Sequence, residues 1–164
     1  PLIGIFPRGV TVGREVLTVQ GATVQYLGGK ASGAGAPLNP DHTHFVLVDN
    51  GKEGGAAWGS EISLRAQMEN FISRAKAVPI VQICVQGGPG TIATVLATAE
   101  EGNPCILLTD SGGAATGIYE FVTSGKLDPK FVKQEEKLAR IKQLHEVGGP
   151  HPPPAARLRS RNLP

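Results

Sequence analysis

Apolar residues cluster in four short, nearly unbroken runs: Leu2–Phe6, His44–Val48, Pro79–Val85 and Pro104–Leu108. Each is rich in β-branched or aliphatic residues and is bounded by glycine, proline or Asp-Asn-Gly, which predicts four strands. Runs without alternation suit strands buried on both faces, as in parallel sheets. Between them the period changes. Ile62, Leu64, Met68, Phe71 and Ile72 recur near helical spacing and predict a helix over Glu61–Ala77, with Ser60 as its N-cap. Two more helices are predicted over Thr91–Glu101 and Ala114–Val122. Asp128–Glu146 reads as one charged amphipathic helix and Gly13–Val19 as a short one. Gly21–Pro40 and Lys52–Gly59 read as loops, because glycine, alanine and proline dominate them. Residues 147–164 are rich in proline and arginine and read as a disordered tail.

Strands that alternate with helices through short loops predict an α/β fold with a doubly wound, mostly parallel sheet. Ligands of such sheets sit at the carboxyl ends of the strands. Three loops are expected there: Asp49–Gly59, Gln86–Thr91 and Thr109–Gly113.

Composition narrows the function classes. The chain has 164 residues, 40% of them hydrophobic and 18% charged, as a globular domain has. A net charge of +2, with Arg8, Arg14, Arg65 and Arg74 scattered, gives no argument for nucleic acid. No apolar run approaches the roughly 20 residues that cross a bilayer. Cys84 and Cys105 lie in strand-like runs outside any Cys-x-x-Cys pattern and read as reduced core thiols.

The candidate chemistry sits where the third strand ends. Gly87, Gly88, Pro89, Gly90 and Thr91 join an apolar run to the start of a helix. Glycines there let backbone N–H groups approach an anion, and the helix N-terminus adds partial positive charge. This is neither a Walker A sequence nor Gly-x-Gly-x-x-Gly, and tight turns need glycine anyway. A second glycine turn, Asp110-Ser111-Gly112-Gly113, follows the next strand. Two such corners facing one crevice favour a pyrophosphate or ribose phosphate. Ser111 has no Gly-x-Ser-x-Gly context and is no nucleophile. Asp41, His42, His44 and Asp49 could suggest a metal, but His42 and His44 flank a strand start and are read as fold elements, with no metal expected.

The corner Gly-Gly-Pro-Gly-Thr followed by a helix resembles the SLOG superfamily, a Rossmann-like fold that includes cytokinin-activating phosphoribohydrolases. Those enzymes carry glutamate in Gly-Gly-x-Gly-Thr-x-x-Glu. Thr94 stands at that position here. A hydroxyl cannot replace the carboxylate as base or charge stabiliser, so the resemblance implies no catalysis of that kind.

A closer resemblance covers residues 2 to about 118. The runs LIGIFPRG, THFVLVDNG, WGSEISLRAQMENFIS, VPIVQICVQGGPGT and GNPCILLTDSGGAATGI are similar, in that order, to the cytosolic N-terminal domain of melastatin-type transient receptor potential (TRPM) cation channels. That resemblance implies a SLOG domain over residues 1–146 whose family counterpart begins before Pro1, so an N-terminally incomplete sheet is expected. It implies a sensor of a nucleotide-sugar such as ADP-ribose, held on the cytosolic face of a membrane as part of a calcium-permeable homotetrameric channel. It places Trp58 and Arg65 in the site, Trp58 stacking on the base and Arg65 forking onto a phosphate. The expected ligand-binding set is Trp58, Arg65, Gly87, Gly88, Pro89, Gly90, Thr91, Ser111, Gly112 and Gly113, with no cofactor. Read from the residues alone, Trp58 could equally cap a core edge, and Arg65 could form an i,i+4 pair with Glu69. At Gly113 the family usually has arginine, and this chain lacks that guanidinium. The alternatives are a free-standing phosphoribohydrolase acting on nucleoside monophosphates and a purely structural channel-assembly domain.

Overall fold

The computed structural model describes residues 1–29 and 35–147. The tail expected from residue 147 onward lies outside the described residues, apart from Val147, which closes the last helix. Residues 30–34 of the expected Gly21–Pro40 loop also lie outside them. The chain divides after Ala77 into two compact units, each built around one parallel strand pair.

In the first unit β1 (Ile3–Pro7) pairs in parallel with β2 (His44–Val48), with Ile3 opposite His44 and Pro7 opposite Val48. Gly4 lets the Phe45 ring lie on the backbone, since a Cβ there would stand 2.8 Å from two ring atoms. The predicted short helix over Gly13–Val19 is a single 3-10 turn, Arg14–Leu17. Val10, Thr11, Leu38 and Ala57 are buried. Helix α1 covers Ile62–Lys76. Ser60 is not its N-cap. Two turns run directly into the helix, with Ser60 N–H on the Ala57 carbonyl and Ile62 N–H on the Gly59 carbonyl, both at 3.3 Å. Glu61 therefore occupies the cap position with near-helical dihedrals and no side-chain cap bond.

In the second unit β3 (Gln82–Val85) pairs in parallel with β4 (Cys105–Leu108) through helix α2 (Pro89–Glu100). β3 starts later than Pro79 because its ladder begins where Gln82 N–H meets the Pro104 carbonyl at 2.9 Å. α2 starts earlier than Thr91, since Pro89 fits a first helical position, where no N–H partner is needed. Helix α3 covers Gly113–Ser124 and ends at Gly125, a left-handed residue with φ 74°. The predicted helix Asp128–Glu146 is two elements: a 3-10 stretch, Pro129–Gln134, and α4, Glu135–Glu146. The Asp128 carboxylate accepts Lys130 N–H at 2.9 Å, and the tighter winding turns Phe131 inward. The core joins Cys84, Ile92, Val95, Ala114, Ala115, Ile118, Phe131, Leu138 and Ile141. It packs the inward face of β3 under α2, α3 and α4, while Ile83, Val85, Ile106 and Leu108 lie on the other face and are exposed.

Candidate functional site

The two glycine corners lie side by side in the second unit because β3 and β4 are neighbours in a parallel pair and both end there. β3 leads through Gln86 and Gly87 into α2. Gln86 is left-handed at φ 53° and Gly87 at φ 93°. A Cβ on Gly87 would run into the Thr91 side chain. Gly88 precedes the helix, and its N–H donates to the Thr91 hydroxyl at 3.2 Å. β4 leads through a 3-10 turn, Thr109–Ser111, into Gly112 and Gly113, at φ 83° and 59°.

Hydrogen bonds stitch the corners together. Ala114 N–H donates to the Gly87 carbonyl at 2.9 Å, and Ala115 N–H to the Gln86 carbonyl at 3.0 Å. Gln86 N–H donates to Ser111 Oγ at 2.7 Å, and that hydroxyl donates to the Leu108 carbonyl at 2.6 Å. Thr116 Oγ1 donates to the Thr109 carbonyl. So Gly87, Gly88, Pro89, Gly90 and Thr91 are gathered with Ser111, Gly112 and Gly113. Around Gly88 and Gly90 a Cβ would meet nothing within 4 Å, so no side chain crowds the first turn of α2, where Gly88 N–H is held by the Thr91 hydroxyl and Thr91 N–H by the Gly88 carbonyl. The end of that helix carries partial positive charge and can receive an anion.

Thr94 Oγ1 donates to the Gly90 carbonyl of its own helix at 3.2 Å. Its hydroxyl proton is thus held by backbone, and the group offers no acid or base. Burial pushes the Cys84 thiol up, and burial with the neighbouring Cys84 pushes Cys105 up to about 11. Both cysteines are free thiols. Kept protonated in this way, neither is an activated nucleophile.

Trp58 and Arg65 belong to the first unit. Trp58 is 48% exposed, and its ring meets the edge of Phe6 at 5.4 Å and 85°. Arg65 Nε donates to Glu69 Oε1 at 2.6 Å, one helical turn on. Both side chains of that pair line a cavity of about 480 Å³ together with Ile3, Ile5, His42 and Phe45. That volume lies within the usual range of small-molecule sites. Each residue therefore has the local partner its sequence context allows, and Arg65 also borders a cavity.

The first unit holds a polar cluster that residue patterns did not single out. At the carboxyl ends of β1 and β2, Arg8 Nη1 donates to Asp49 Oδ2 at 3.0 Å. Arg14 donates to the Gly9 carbonyl at 3.0 Å and pairs with Glu53. Gly51 N–H, donating to Asp49, holds that carboxyl below its usual range, and Arg8 adds to the effect. Gly9 permits the cluster, since a Cβ there would collide with the Lys52 carbonyl. The available signal was positional: Arg8 and Asp49 each directly follow a strand of one parallel pair. His42 lies against the Phe45 ring, and His44 Nδ1 is 2.9 Å from Thr43 Oγ1. Among the described residues no three His, Cys, Asp or Glu side chains are grouped to hold a metal ion.

A family model described as SLOG in TRPM matches residues 1–147. The chain is 36% identical over 129 residues to transient receptor potential cation channel subfamily M member 2 of Rattus norvegicus, covering 72% of this chain and 8% of that protein. It is 38% identical over 94 residues to the Mus musculus counterpart, covering 52% of this chain and 6% of that protein. A transient receptor potential channel of Caenorhabditis elegans is 33% identical over 145 residues, 81% of this chain and 7% of that protein. The matches thus take in 6–8% of the length of these relatives. Parallel strand pairs together with helices are the α/β architecture expected of a SLOG domain. With the family model spanning both units, the chain belongs to the SLOG domains of TRPM channels.

Proposed function

We propose that this chain is a ligand-sensing module on the cytosolic face of a TRPM-type cation channel, binding a phosphate-bearing nucleotide such as ADP-ribose without turning it over. The observation that carries this reading is the open first turn of α2. There no side chain crowds Gly88 or Gly90 at the positive end of a 12-residue helix. Within the first unit, considered by itself, the Arg65 guanidinium borders a cavity of about 480 Å³. Trp58, half-exposed, is the aromatic surface offered to a base. Thr94, bonded to its own helix, supports binding without hydrolysis. No helix among the described residues is long and apolar enough to cross a membrane. In a full subunit the ligand would act by preferring one of two channel conformations.

The test is calorimetric titration of the folded chain with ADP-ribose and with AMP, followed by chromatography of each mixture. Saturable heat with no product is the expected result. Free base and ribose phosphate from AMP would make the chain a phosphoribohydrolase. A folded sample that binds neither would leave a structural channel-assembly domain.

A further inference from the structure

The turn after β2 in the first unit gathers a base, a nucleophile and a polarised carbonyl within four residues. Asp49, Asn50 and Gly51 are exposed. The two carboxylate oxygens of Asp49 have separate partners: Oδ2 accepts from Arg8 Nη1 at 3.0 Å, and Oδ1 accepts Gly51 N–H at 2.9 Å. Arg8, directly after β1, thus fixes the carboxylate while its other oxygen faces the amide proton. Asn50 Oδ1 accepts Lys52 N–H at 3.1 Å, which draws electrons from the carboxamide carbon. Gly51 carries no side chain to shield its nitrogen, stands at a φ of +73°, and has nothing within 4 Å of where a Cβ would lie. A bond from that nitrogen to Asn50 Cγ would close a five-membered ring. The other asparagines among the described residues lack these parts. Asn39 and Asn103 precede prolines, which have no N–H, and Asn70 lies inside α1.

We propose that Asn50 is a site of self-modification, which this turn converts through a cyclic imide to aspartate and isoaspartate with Asp49 as the base. The Asp49 carboxylate takes the Gly51 amide proton, and the nitrogen so freed bonds to Asn50 Cγ. Negative charge passes to Asn50 Oδ1, where Lys52 N–H stabilises it. As the charge returns, the bond from Cγ to the carboxamide nitrogen breaks. That nitrogen takes the proton from Asp49 and leaves as ammonia, which restores the carboxylate. Solvent water then opens the imide. Attack at Cγ gives aspartate, and attack at the main-chain carbonyl gives isoaspartate, whose backbone runs through the former side chain. Nothing is oxidised or reduced, and no ligand is needed. The fold contributes proximity: reacting groups are held in one turn and the base is oriented by Arg8. Either product adds a carboxylate beside the Arg8–Asp49 pair at the carboxyl end of β2. Isoaspartate also lengthens the main chain and undoes the bond from Gly51 N–H to Asp49.

The test is peptide mapping by mass spectrometry of the folded chain, held for several weeks at neutral pH and body temperature in heavy-oxygen water. Fragmentation that separates aspartate from isoaspartate identifies the products. Asn50 is expected to exchange its carboxamide nitrogen for solvent oxygen and to yield both isomers, while Asn39, Asn70 and Asn103 in the same sample stay unchanged. Asp49→Ser separates the base from the turn, since a serine hydroxyl can still accept the Gly51 amide but takes up no proton at neutral pH. In that variant the conversion of Asn50 is expected to slow at least about tenfold, a modest share of what a positioned base contributes. An Asn50 that survives unconverted in the unsubstituted chain overturns the site. Conversion in Asp49→Ser that is as fast as in the unsubstituted chain, or faster, overturns the role of Asp49 and shows that its hydrogen bond does not activate the Gly51 nitrogen.

Discussion

Gly117→Ala tests how α3 is seated, and two effects of opposite sign meet in it. Gly117 is buried in the middle of α3. Replacing glycine by alanine in a helix interior ordinarily stabilises by about 1 kcal/mol. Here the new Cβ would stand 2.9 Å from both Cδ2 and Cε2 of Phe131, a ring only 4% exposed. Carbon atoms prefer about 3.5–4.0 Å. The ring cannot swing away easily, because Asp128 caps its 3-10 stretch and the ring is enclosed in the core. Overpacking of this kind costs about 1–3 kcal/mol. The clash therefore outweighs the helix gain, and Gly117→Ala should lower stability by up to about 2 kcal/mol. In a Phe131→Leu background the ring edge is gone, and the same substitution should raise stability by about 1 kcal/mol. The assay is equilibrium urea unfolding of the four variants of this cycle, with unchanged m-values as the check that one transition is compared. If Gly117→Ala stabilised both backgrounds equally, Phe131 would not sit on α3, and the packing described for this core would be wrong.

The glycines of the two corners should respond with opposite signs in the same assay. Gly90→Ala, which meets nothing within 4 Å, should stabilise by up to about 1 kcal/mol, whereas Gly113→Ala should destabilise by roughly 2 kcal/mol through its positive φ and the collision with Gly87. Arg65→Ala should weaken a phosphate ligand at least about tenfold by titration while changing stability by no more than about 0.5 kcal/mol, as exposed i,i+4 pairs do. An unchanged dissociation constant would remove Arg65 from the site. Cys105 gives a pH dependence. Its thiol ionises near 9.0 when unfolded and near 11 when folded, so in that window the unfolded chain binds fewer protons. Its contribution to stability is whole below pH 9 and falls as the pH rises toward 11. Urea midpoints of the parent and Cys105→Ala at pH 8 and 10.5 should show a shallower decline in the variant.

The parts of the site were legible because they are made of residue types, and the state of the site was not because it is made of backbone. An aliphatic run ending in Gly87 and Gly88 signals a strand, a turn and a helix, and β2 was readable at His44–Val48 from its apolar run and the following Asp-Asn-Gly. Boundaries failed where backbone donors decide them. Pro79 looked like strand, yet the ladder starts at Gln82, where an N–H finds a carbonyl. Asp128 and Pro129 form a valid helix start, but the winding that follows is 3-10 through Gln134, with Phe131 of that stretch in the core. The same cause hid the hydrogen bonds that join the two corners. Two glycine turns after adjacent strands suggest two anion sites, because each turn can supply free amides. Whether the amides are free depends on which carbonyls approach them. Those of Gln86 and Gly87 come from 27 or more residues earlier in the chain, brought alongside by the β3–β4 register. Gly113 was readable as the loss of a guanidinium. In the folded chain its lack of a side chain admits the Gly87 carbonyl to the start of α3.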